Sequence, residues 1–366
     1  MPELSPEPSR SQIETALARY VDPHLERDLV SAKALKGVAI EDGNVNVKVL
    51  FGFPAKGYAR QLQAALEEQV RTVPGVQSVT VSVDWKIAPH AVQQGVETLS
   101  DVKNIIAVAS GKGGVGKSTV AANLALALSA EGANVAVLDA DIYGPSQPRM
   151  LGARGRPDSK DGKSLEPMVS YRIQSMSIGY LIDEETPMVW RGPMVTQALE
   201  QLLRDTNWRD VDYLIVDLPP GTGDTQLTLA QKIPVSGAVI VTTPQDIALL
   251  DARKGLKMFE KVEVPVLGIV ENMSIHICSK CGHEEPIFGQ GGGERMAEQY
   301  GVDLLGKLPL DIAIREDTDG GTPTVVKDPE GRVATLYREI ACKVAAKLSL
   351  QAKEYRQAFP KIEIGT

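Results

Sequence analysis

A glycine-rich segment that joins a strand-like run to a helix-like run constrains the fold of this chain more than any other feature. Residues 110–119 are SGKGGVGKST, and the part from Gly111 to Ser118 satisfies the pattern G-x-x-x-x-G-K-[ST]. An apolar run over 104–109 precedes the segment, and apolar spacing predicts a helix over 119–130. A strand, this loop and a helix in direct succession are typical of a parallel sheet covered by helices.

The chemistry expected of this loop is phosphate binding. Glycines allow the backbone to wrap around phosphate groups, so that successive N–H groups and the helix N-terminus point at the anion. The side chain of Lys117 is expected to reach the β- and γ-phosphates, and the hydroxyl of Ser118 to ligate Mg²⁺. We therefore predict a site for ATP and Mg²⁺. The residues expected to contact the nucleotide are Gly111, Lys112, Gly113, Gly114, Val115, Gly116, Lys117, Ser118 and Thr119.

Carboxylates at the ends of two later strand-like runs are expected to complete the site. Asp217 ends the run 213–216, while Asp139 and Asp141 follow the run 135–138. Ligands of open α/β sheets bind at the carboxyl ends of the strands, which is where these side chains fall. We predict that Asp217 contacts Mg²⁺ through a water ligand and that Asp141 orients the attacking water. Asp139 either belongs to this site or caps the end of its strand.

The predicted fold class is α/β, with a doubly wound, mostly parallel P-loop NTPase sheet preceded by a small α+β domain. Near-continuous apolar runs separated by helical segments indicate strands buried on both faces. The domains predicted are 1–86, a linker over 87–102, and the ATPase domain over 103–366. The strands predicted in the ATPase domain are 105–109, 135–138, 213–216, 238–241, 266–270 and 304–308.

Within the small domain, alternation and turn signals predict an α-β-β-α-β order. A short helix is also expected after Asp22-Pro23, and the hairpin is expected to turn at Asp42-Gly43-Asn44. The main elements predicted are helices over 11–20 and 58–70 and strands over 36–40, 45–51 and 76–83. The stretch 143–194 shows no regular pattern, and we expect loops over the site there.

Charge and hydropathy restrict the partners. The 366 residues include 39 Lys and Arg against 47 Asp and Glu, a net charge of -8 that opposes non-specific attraction to DNA or anionic lipid. No apolar run is long enough to cross a membrane, and the N-terminus lacks the order of a signal peptide. We expect a soluble, cytoplasmic protein with neither nucleic acid nor membrane as partner.

Two of the three cysteines form a C-x-x-C pair, Cys278 and Cys281, that is predicted to bind metal. Zinc and [4Fe–4S] clusters normally take four thiolates, so one pair is complete only if a second chain donates its own. His276 and His283 are alternative ligands within one chain. A shared cluster, a structural zinc site and a redox dithiol all fit this spacing, and Cys342 is expected to be a small buried apolar residue.

Several further strings extend the pattern beyond the loop. They are DADIYGPS at 139–146, WRGP at 190–193, PPGTGD at 219–224, ENMS at 271–274 and IFGQGGG at 287–293. Together with Lys112 they resemble the deviant Walker A ATPases of the MinD/ParA superfamily, and within it the Mrp/ApbC iron–sulfur carriers. The resemblance implies a homodimer in which Lys112 acts catalytically on the partner's nucleotide, and an Asn272 that hydrogen-bonds adenine.

The first domain resembles the small iron–sulfur-assembly domain often fused ahead of such ATPases. Free-standing members commonly carry a cysteine after the hairpin, whereas residues 52–57 here are GFPAKG. The function implied is an ATP-dependent carrier or assembly factor that binds a [4Fe–4S] cluster at a dimer interface. It would hydrolyse ATP slowly, because no arginine finger is apparent in the chain, and transfer the cluster to apoproteins, with assembly scaffolds as further partners.

Two other functions remain open. A MinD/ParA-type organising ATPase would need a basic DNA-binding face or a terminal membrane helix, yet the last residues, 355–366, are expected to be an extended tail. A zinc-clasped dimeric targeting ATPase would bind apolar segments in a methionine-lined groove, although scattered methionines usually fill cores. The methionines concerned are Met150, Met168, Met176, Met188 and Met194.

Overall fold

The computed structural model of the chain describes residues 7–90, 93, 96–182, 192–278 and 280–358. The chain forms two compact units. The first contains the residues up to 88 together with 130–132 and those from 345 onward, and the second contains 89–129 and 133–344. The first unit is thus assembled from three separate stretches of chain.

Within residues 7–88, the first unit is built on a three-stranded sheet with two helices. Its elements are α1 (Arg10–Leu17), β1 (Val21–Asp22), β2 (Arg27–Asp28), β3 (Leu35–Glu41), β4 (Asn44–Phe51), α2 (Ala59–Arg71) and β5 (Ser78–Trp85). The predicted hairpin β3–β4 is confirmed: Asp42 and Gly43 both have positive φ, as its two-residue turn requires. Strand β5 then pairs parallel to β4, with Val47 opposite Val81.

The short helix predicted after Asp22-Pro23 is wrong. The Asp22 carboxylate does accept hydrogen bonds from the N–H groups of His24 and Leu25, as a helix cap would. The turn ends at Glu26, whose φ of 54° is left-handed, and β1 and β2 then pair antiparallel. The residues that predicted a helix therefore form a single capped turn, which connects the paired strands β1 and β2.

Two distant stretches complete the first unit. The buried carboxylate of Glu131 accepts hydrogen bonds from the N–H groups of Gly57, at 2.7 Å, and Tyr58, at 3.3 Å, just before α2. Ser349 packs so closely on Gly52 that a Cβ there would approach its side chain to 2.8 Å. The loop 52–57 is therefore held by residues that lie far away in sequence.

The second unit contains an eight-stranded sheet flanked by helices. Its strands are β6 (Val102–Ala109), β7 (Val135–Asp139), β8 (Met168–Ser170), β9 (Ile173–Ser177), β10 (Val211–Asp217), β11 (Gly237–Thr242), β12 (Val266–Glu271), β13 (His276–Ile277), β14 (Glu284–Glu285) and β15 (Leu304–Lys307), of which β13 and β14 form a separate ribbon. Its helices are α3 (Lys117–Ala130), α4 (Gln147–Met150), α5 (Gly192–Arg204), α6 (Asp224–Lys232), α7 (Asp246–Lys261), α8 (Gly292–Tyr300), α9 (Ile312–Asp319), α10 (Thr324–Lys327) and α11 (Arg332–Ala358), the last of which continues into the first unit.

The order of the strands across the sheet is β15-β12-β11-β6-β10-β7-β9-β8. Every neighbouring pair is parallel except β8–β9, and the central strands are apolar and buried, so the predicted fold class is confirmed. Because β6 lies between β10 and β11, the chain passes to opposite sides of β6 in succession. The segments that follow these strands therefore meet at the same edge of the sheet.

The stretch 143–194 is more regular than its sequence indicated. It contains α4, β8 and β9, and β9 pairs parallel to β7 within the main sheet. The serines of β9 obscured the pattern: Ser175 and Ser177 are buried and form hydrogen bonds with Tyr180 and Asp139. The loops expected over the site at 183–191, which include Met188, lie outside the described residues.

Helix α11 continues to Ala358, so the extended tail expected from residue 355 is wrong over 355–358, and the remainder lies outside the described residues. Cys342 is buried within this helix, as predicted. In the described part of the chain, no helix is both long and apolar enough to cross a membrane.

Candidate functional site

The glycine-rich loop follows β6 and leads directly into α3. Gly114 and Gly116 have φ values of 80° and 81°, a conformation that favours glycine. Gly111 is required for a different reason, since a Cβ at this position would collide with the backbone of Asp251 and Ala252 in α7. The loop is therefore fixed both by its own backbone and by the helix packed against it.

Replacing Gly111 by alanine should lower the stability of the protein, whereas Gly113→Ala should leave it nearly unchanged. Apart from the chain neighbours of Gly113, no atom of the described residues lies within 4 Å of a Cβ built there, so this variant is a matched control within the same loop. Overpacking of this kind costs about 1–3 kcal/mol. Thermal unfolding of both variants without nucleotide measures the difference, and equal melting temperatures would show that α7 does not constrain the loop.

Lys117, Ser118 and Asp217 lie together at the end of the loop. The ammonium of Lys117 forms a buried ion pair with the carboxylate of Asp217, which lies at the end of β10 and is fully buried. The same ammonium lies 3.2 Å from the Ser118 hydroxyl. The structure thus brings together the three residues predicted to hold the phosphates and Mg²⁺.

Gln147, which the sequence analysis missed, joins this cluster from α4. Its Nε2 donates hydrogen bonds to Oδ2 of Asp217, at 2.9 Å, and to the carbonyl of Ser118, at 3.0 Å. Gln147 lies 70 residues before Asp217, and no spacing rule relates them. Only the folded sheet, which places β7 beside β10, brings the two side chains together.

The Asp139 carboxylate holds the loop that follows β7. It accepts hydrogen bonds from the N–H groups of Ser146 and Gln147, at 2.9 and 3.0 Å, and from the Ser177 hydroxyl, at 3.0 Å. Burial raises the pKa of Asp139 to about 7, and the neighbouring charge of Asp217 acts in the same direction. These contacts favour the strand-end role for Asp139.

Asp141 lies at the more open side of the same loop. It is only partly exposed, and burial raises the pKa of its carboxyl group although the charge of Lys117 opposes this shift. Its N–H donates to Asp139 at 3.2 Å. A partly exposed carboxylate beside the phosphate loop is compatible with orienting water, and that role stays a prediction.

Asn272, directly after β12, supports the phosphate loop. Its side-chain Nδ2 donates a 2.9 Å hydrogen bond to the carbonyl of Val115, and its N–H donates to the carbonyl of Thr242. A Cβ on Gly116 would collide with this side chain. The predicted contact with adenine stays a prediction, and the structure adds a bond to the loop that sequence reasoning missed.

Lys112 lies at the partly exposed outer part of the loop. The hydroxyl of Ser110 donates a 2.9 Å hydrogen bond to the carbonyl of Lys112, which fixes the backbone at this point. The neighbouring residues Gly113 and Gly114 are exposed. The position is thus open to solvent, as a residue that acts on a second chain requires.

The cysteine pair lies in the turn that connects β13 and β14. The N–H of Cys278 donates to the carbonyl of His283, and the N–H of Gly282 donates to the carbonyl of Cys278. Hydrogen bonds from the N–H groups of Lys280 and Cys281, and from the Cys281 thiol, lower the pKa of Cys278. The two sulfurs therefore face each other on an accessible turn whose amides favour thiolate, the form that binds metals.

The two histidines beside the pair do not complete a metal site within one chain. Nδ1 of His276 is directed to the carbonyl of Leu310, at 3.3 Å, and His283 is exposed at the turn. Among the residues that the structure describes, no three His, Cys, Asp or Glu side chains are placed to hold one metal ion. Cys278 and Cys281 would thus be two ligands of a larger set, and their role as metal ligands stays a prediction.

Comparison with known proteins agrees with these features. Residues 101–345 match the family described as NUBPL iron-transfer P-loop NTPase, and residues 10–83 match the family described as iron-sulfur cluster assembly protein. The chain is 53% identical over 354 residues to the iron-sulfur cluster carrier protein of Escherichia coli (strain K12), with 95% of each chain covered.

A second relative and a solved structure extend the similarity. The iron-sulfur cluster transfer protein NUBPL of Mus musculus is 46% identical over 314 residues, which cover 85% of this chain and 95% of that protein. The nucleotide-binding protein of Archaeoglobus fulgidus, solved with ADP, superimposes with a TM-score of 0.57 at 37% identity, covering 65% of this chain and 93% of that one. From its loop, its sheet and these relatives, the chain belongs to the NUBPL iron-transfer family of P-loop NTPases.

Proposed function

We propose that this protein is an ATP-dependent carrier that holds a [4Fe–4S] cluster between two copies of the chain and passes it to apoproteins. The observation that carries the proposal is the accessible turn with Cys278 and Cys281, which supplies half of a four-thiolate set. The cluster is cargo, so a ligand set that is incomplete within one chain, with Cys278 partly exposed and Cys281 exposed, suits both its loading and its release. Acceptor apoproteins and assembly scaffolds are the partners that this function requires.

The residues of the phosphate loop fit MgATP. Lys117 is buried against Asp217, and its ammonium also lies beside the Ser118 hydroxyl, so one cation is already assembled with two oxygen groups. In the nucleotide-bound state Lys117 would contact the phosphate oxygens, while the Ser118 hydroxyl and, through a water ligand, Asp217 would hold Mg²⁺. The metal would supply positive charge that neutralises the phosphates, and Asp141 would orient the attacking water.

A short stretch of chain connects the two sites. Asn272, which bonds to the phosphate loop at Val115, precedes Cys278 by six residues, and between them lies the strand β13. A displacement of the loop during ATP turnover therefore has a direct covalent route to the cysteine turn. We propose that ATP turnover changes the lability of the cluster through this route.

Lys112 is proposed to act on the nucleotide of the partner chain, where a second cation would stabilise charge in the transition state. Lys112→Ala and Lys117→Ala homodimers should both be inactive. Mixed dimers should regain one site, because the Lys112→Ala chain keeps its own Lys117 and receives Lys112 from the other chain. Random mixing of equal amounts should restore about a quarter of wild-type activity, since half of the dimers carry one of two sites.

Phosphate release on mixing measures this recovery. Mixing Lys112→Ala with itself is the control, and a Lys163→Ala chain, altered at an exposed lysine of the same unit, should behave as wild type. Full activity of pure Lys112→Ala dimers, or no recovery on mixing, would contradict a role across the dimer.

Transfer of the cluster tests the function itself. Protein loaded without oxygen should convert an apo-[4Fe–4S] acceptor to its active form, and should do so faster than equal amounts of free iron and sulfide in the presence of a chelator. ATP should change the transfer rate of wild type and leave that of Lys117→Ala unchanged. Zinc in anaerobically isolated protein would favour the zinc-clasped targeting ATPase, and the absence of metal would favour an organising ATPase.

A further inference from the structure

We propose that Gln147 is a positioning residue for Mg²⁺ at the nucleotide site. On this view its side-chain amide holds the Asp217 carboxylate in place once Lys117 has moved to the phosphates. The inference rests on the proposed ATPase function and adds a residue to its machinery. It concerns the hydrogen bond that the buried Asp217 carboxylate keeps when Lys117 leaves it for the phosphates.

The first support is the geometry of the amide. Gln147 is fully buried, and its Nε2 bridges Oδ2 of Asp217 and the carbonyl of Ser118. Both partners can only accept hydrogen bonds, so the nitrogen of the amide must face them. Gln147 therefore links the two residues predicted to hold Mg²⁺, one through its carboxylate and the other through its backbone.

The second support is the balance of charge. The only cation in contact with Asp217 among the described residues is Lys117, while Asp139, the last residue of β7, and Asp141, on the loop that follows, lie nearby. A buried carboxylate that loses its cation is costly unless hydrogen bonds remain. After Lys117 leaves, the Gln147 amide still donates to Oδ2, so Oδ1, which Lys117 had occupied, becomes available for the metal-bound water.

The third support is an unused acceptor. Oε1 of Gln147 is buried and receives no hydrogen bond from any residue in the described ranges. Buried polar atoms are nearly always paired, so such an atom beside a ligand site calls for a partner. A water molecule bound to Mg²⁺ is a donor of the required kind. The same side chain would then donate to Asp217 and accept from the hydrated metal.

The test measures binding, independently of turnover. The affinity of a fluorescent ATP analogue is measured in EDTA and across a Mg²⁺ titration for wild type, Gln147→Leu and Gln147→Asn. Gln147→Leu should raise the half-saturating Mg²⁺ concentration about tenfold, the effect of losing one hydrogen bond to a charged group. Its affinity in EDTA should change by less than about twofold, because the amide does not contact the phosphate loop's N–H groups.

Gln147→Asn controls for a folding defect, because it keeps the amide on a shorter side chain. Its half-saturating Mg²⁺ concentration should lie between those of wild type and Gln147→Leu. Gln174→Leu is the control, because among the described residues the side chain of that glutamine hydrogen-bonds to the backbone of Arg209 and to no residue of the nucleotide site. Equal loss of affinity with and without Mg²⁺, or an unchanged Mg²⁺ dependence in both Gln147 variants, would overturn the inference. Failure of wild type to bind MgATP would instead contradict the proposed function.

Discussion

Lys117→Ala should abolish ATP turnover, with a loss of about a thousandfold or more. Cationic groups that contact the transferred phosphoryl group contribute effects of this size because they neutralise charge in the transition state. In this chain the ammonium is also the partner of Asp217, so its removal leaves a buried carboxylate beside Asp139 without a compensating charge. Both effects reduce activity, and the second also reduces stability.

Two measurements separate these effects. Phosphate release under anaerobic conditions reports turnover, and thermal unfolding reports the loss of the buried ion pair. Lys117→Arg keeps the charge and should recover stability more fully than activity, because the longer planar head cannot reproduce the single ammonium contact. Lys163→Ala serves as the exposed-lysine control. Wild-type turnover in Lys117→Ala would show that the nucleotide site has been assigned to the wrong loop.

Replacing Cys278 or Cys281 by alanine should remove the cluster from the protein. After anaerobic reconstitution, wild type should contain about four irons and four sulfides per dimer, the content of one [4Fe–4S] cluster. Each single variant removes two of the four thiolates in a symmetric dimer, so the visible absorption of the cluster should be lost entirely. ATP binding should persist, because no contact between either cysteine and the phosphate loop occurs among the described residues.

Cys342→Ala is the matched control for this experiment. Cys342 is the remaining cysteine of the chain, but it is buried in α11 and should not exchange with solvent or ligate a cluster. This variant should retain the full content of iron and sulfide. A Cys278→Ala/Cys281→Ala double variant that still holds a complete cluster would refute the assignment of the ligands.

The fold was largely predictable because its strongest signals are local. The phosphate loop is encoded within ten consecutive residues, 110–119, and the central strands are apolar runs that need no knowledge of their neighbours. The hairpin at Asp42-Gly43 is predictable for the same reason, since its turn type demands these residues. The cysteine pair likewise lies within four positions of the sequence.

What could not be predicted depends on contacts between distant segments. Strand β9 contains buried serines whose hydroxyls form hydrogen bonds with Tyr180 and Asp139 in the folded protein. Without knowledge of these partners, the sequence of β9 does not indicate a core strand. Gln147 gains its place at the nucleotide site only when β7 and β10 are paired. The false helix after Pro23 is the opposite case, in which a correct local cap was overruled by the pairing of β1 with β2.

The assembly of the first unit from three stretches of chain has a consequence for experiments on fragments of this protein. A fragment that stops at residue 88 would lack Glu131, the acceptor for Gly57 and Tyr58, and would also lack Ser349 beside Gly52. A fragment that starts after residue 88 would contain Leu348 but would lack most of the first unit, to which this buried residue belongs. No single cut in the linker therefore yields two intact pieces, and studies of the separate parts would report on damaged ones.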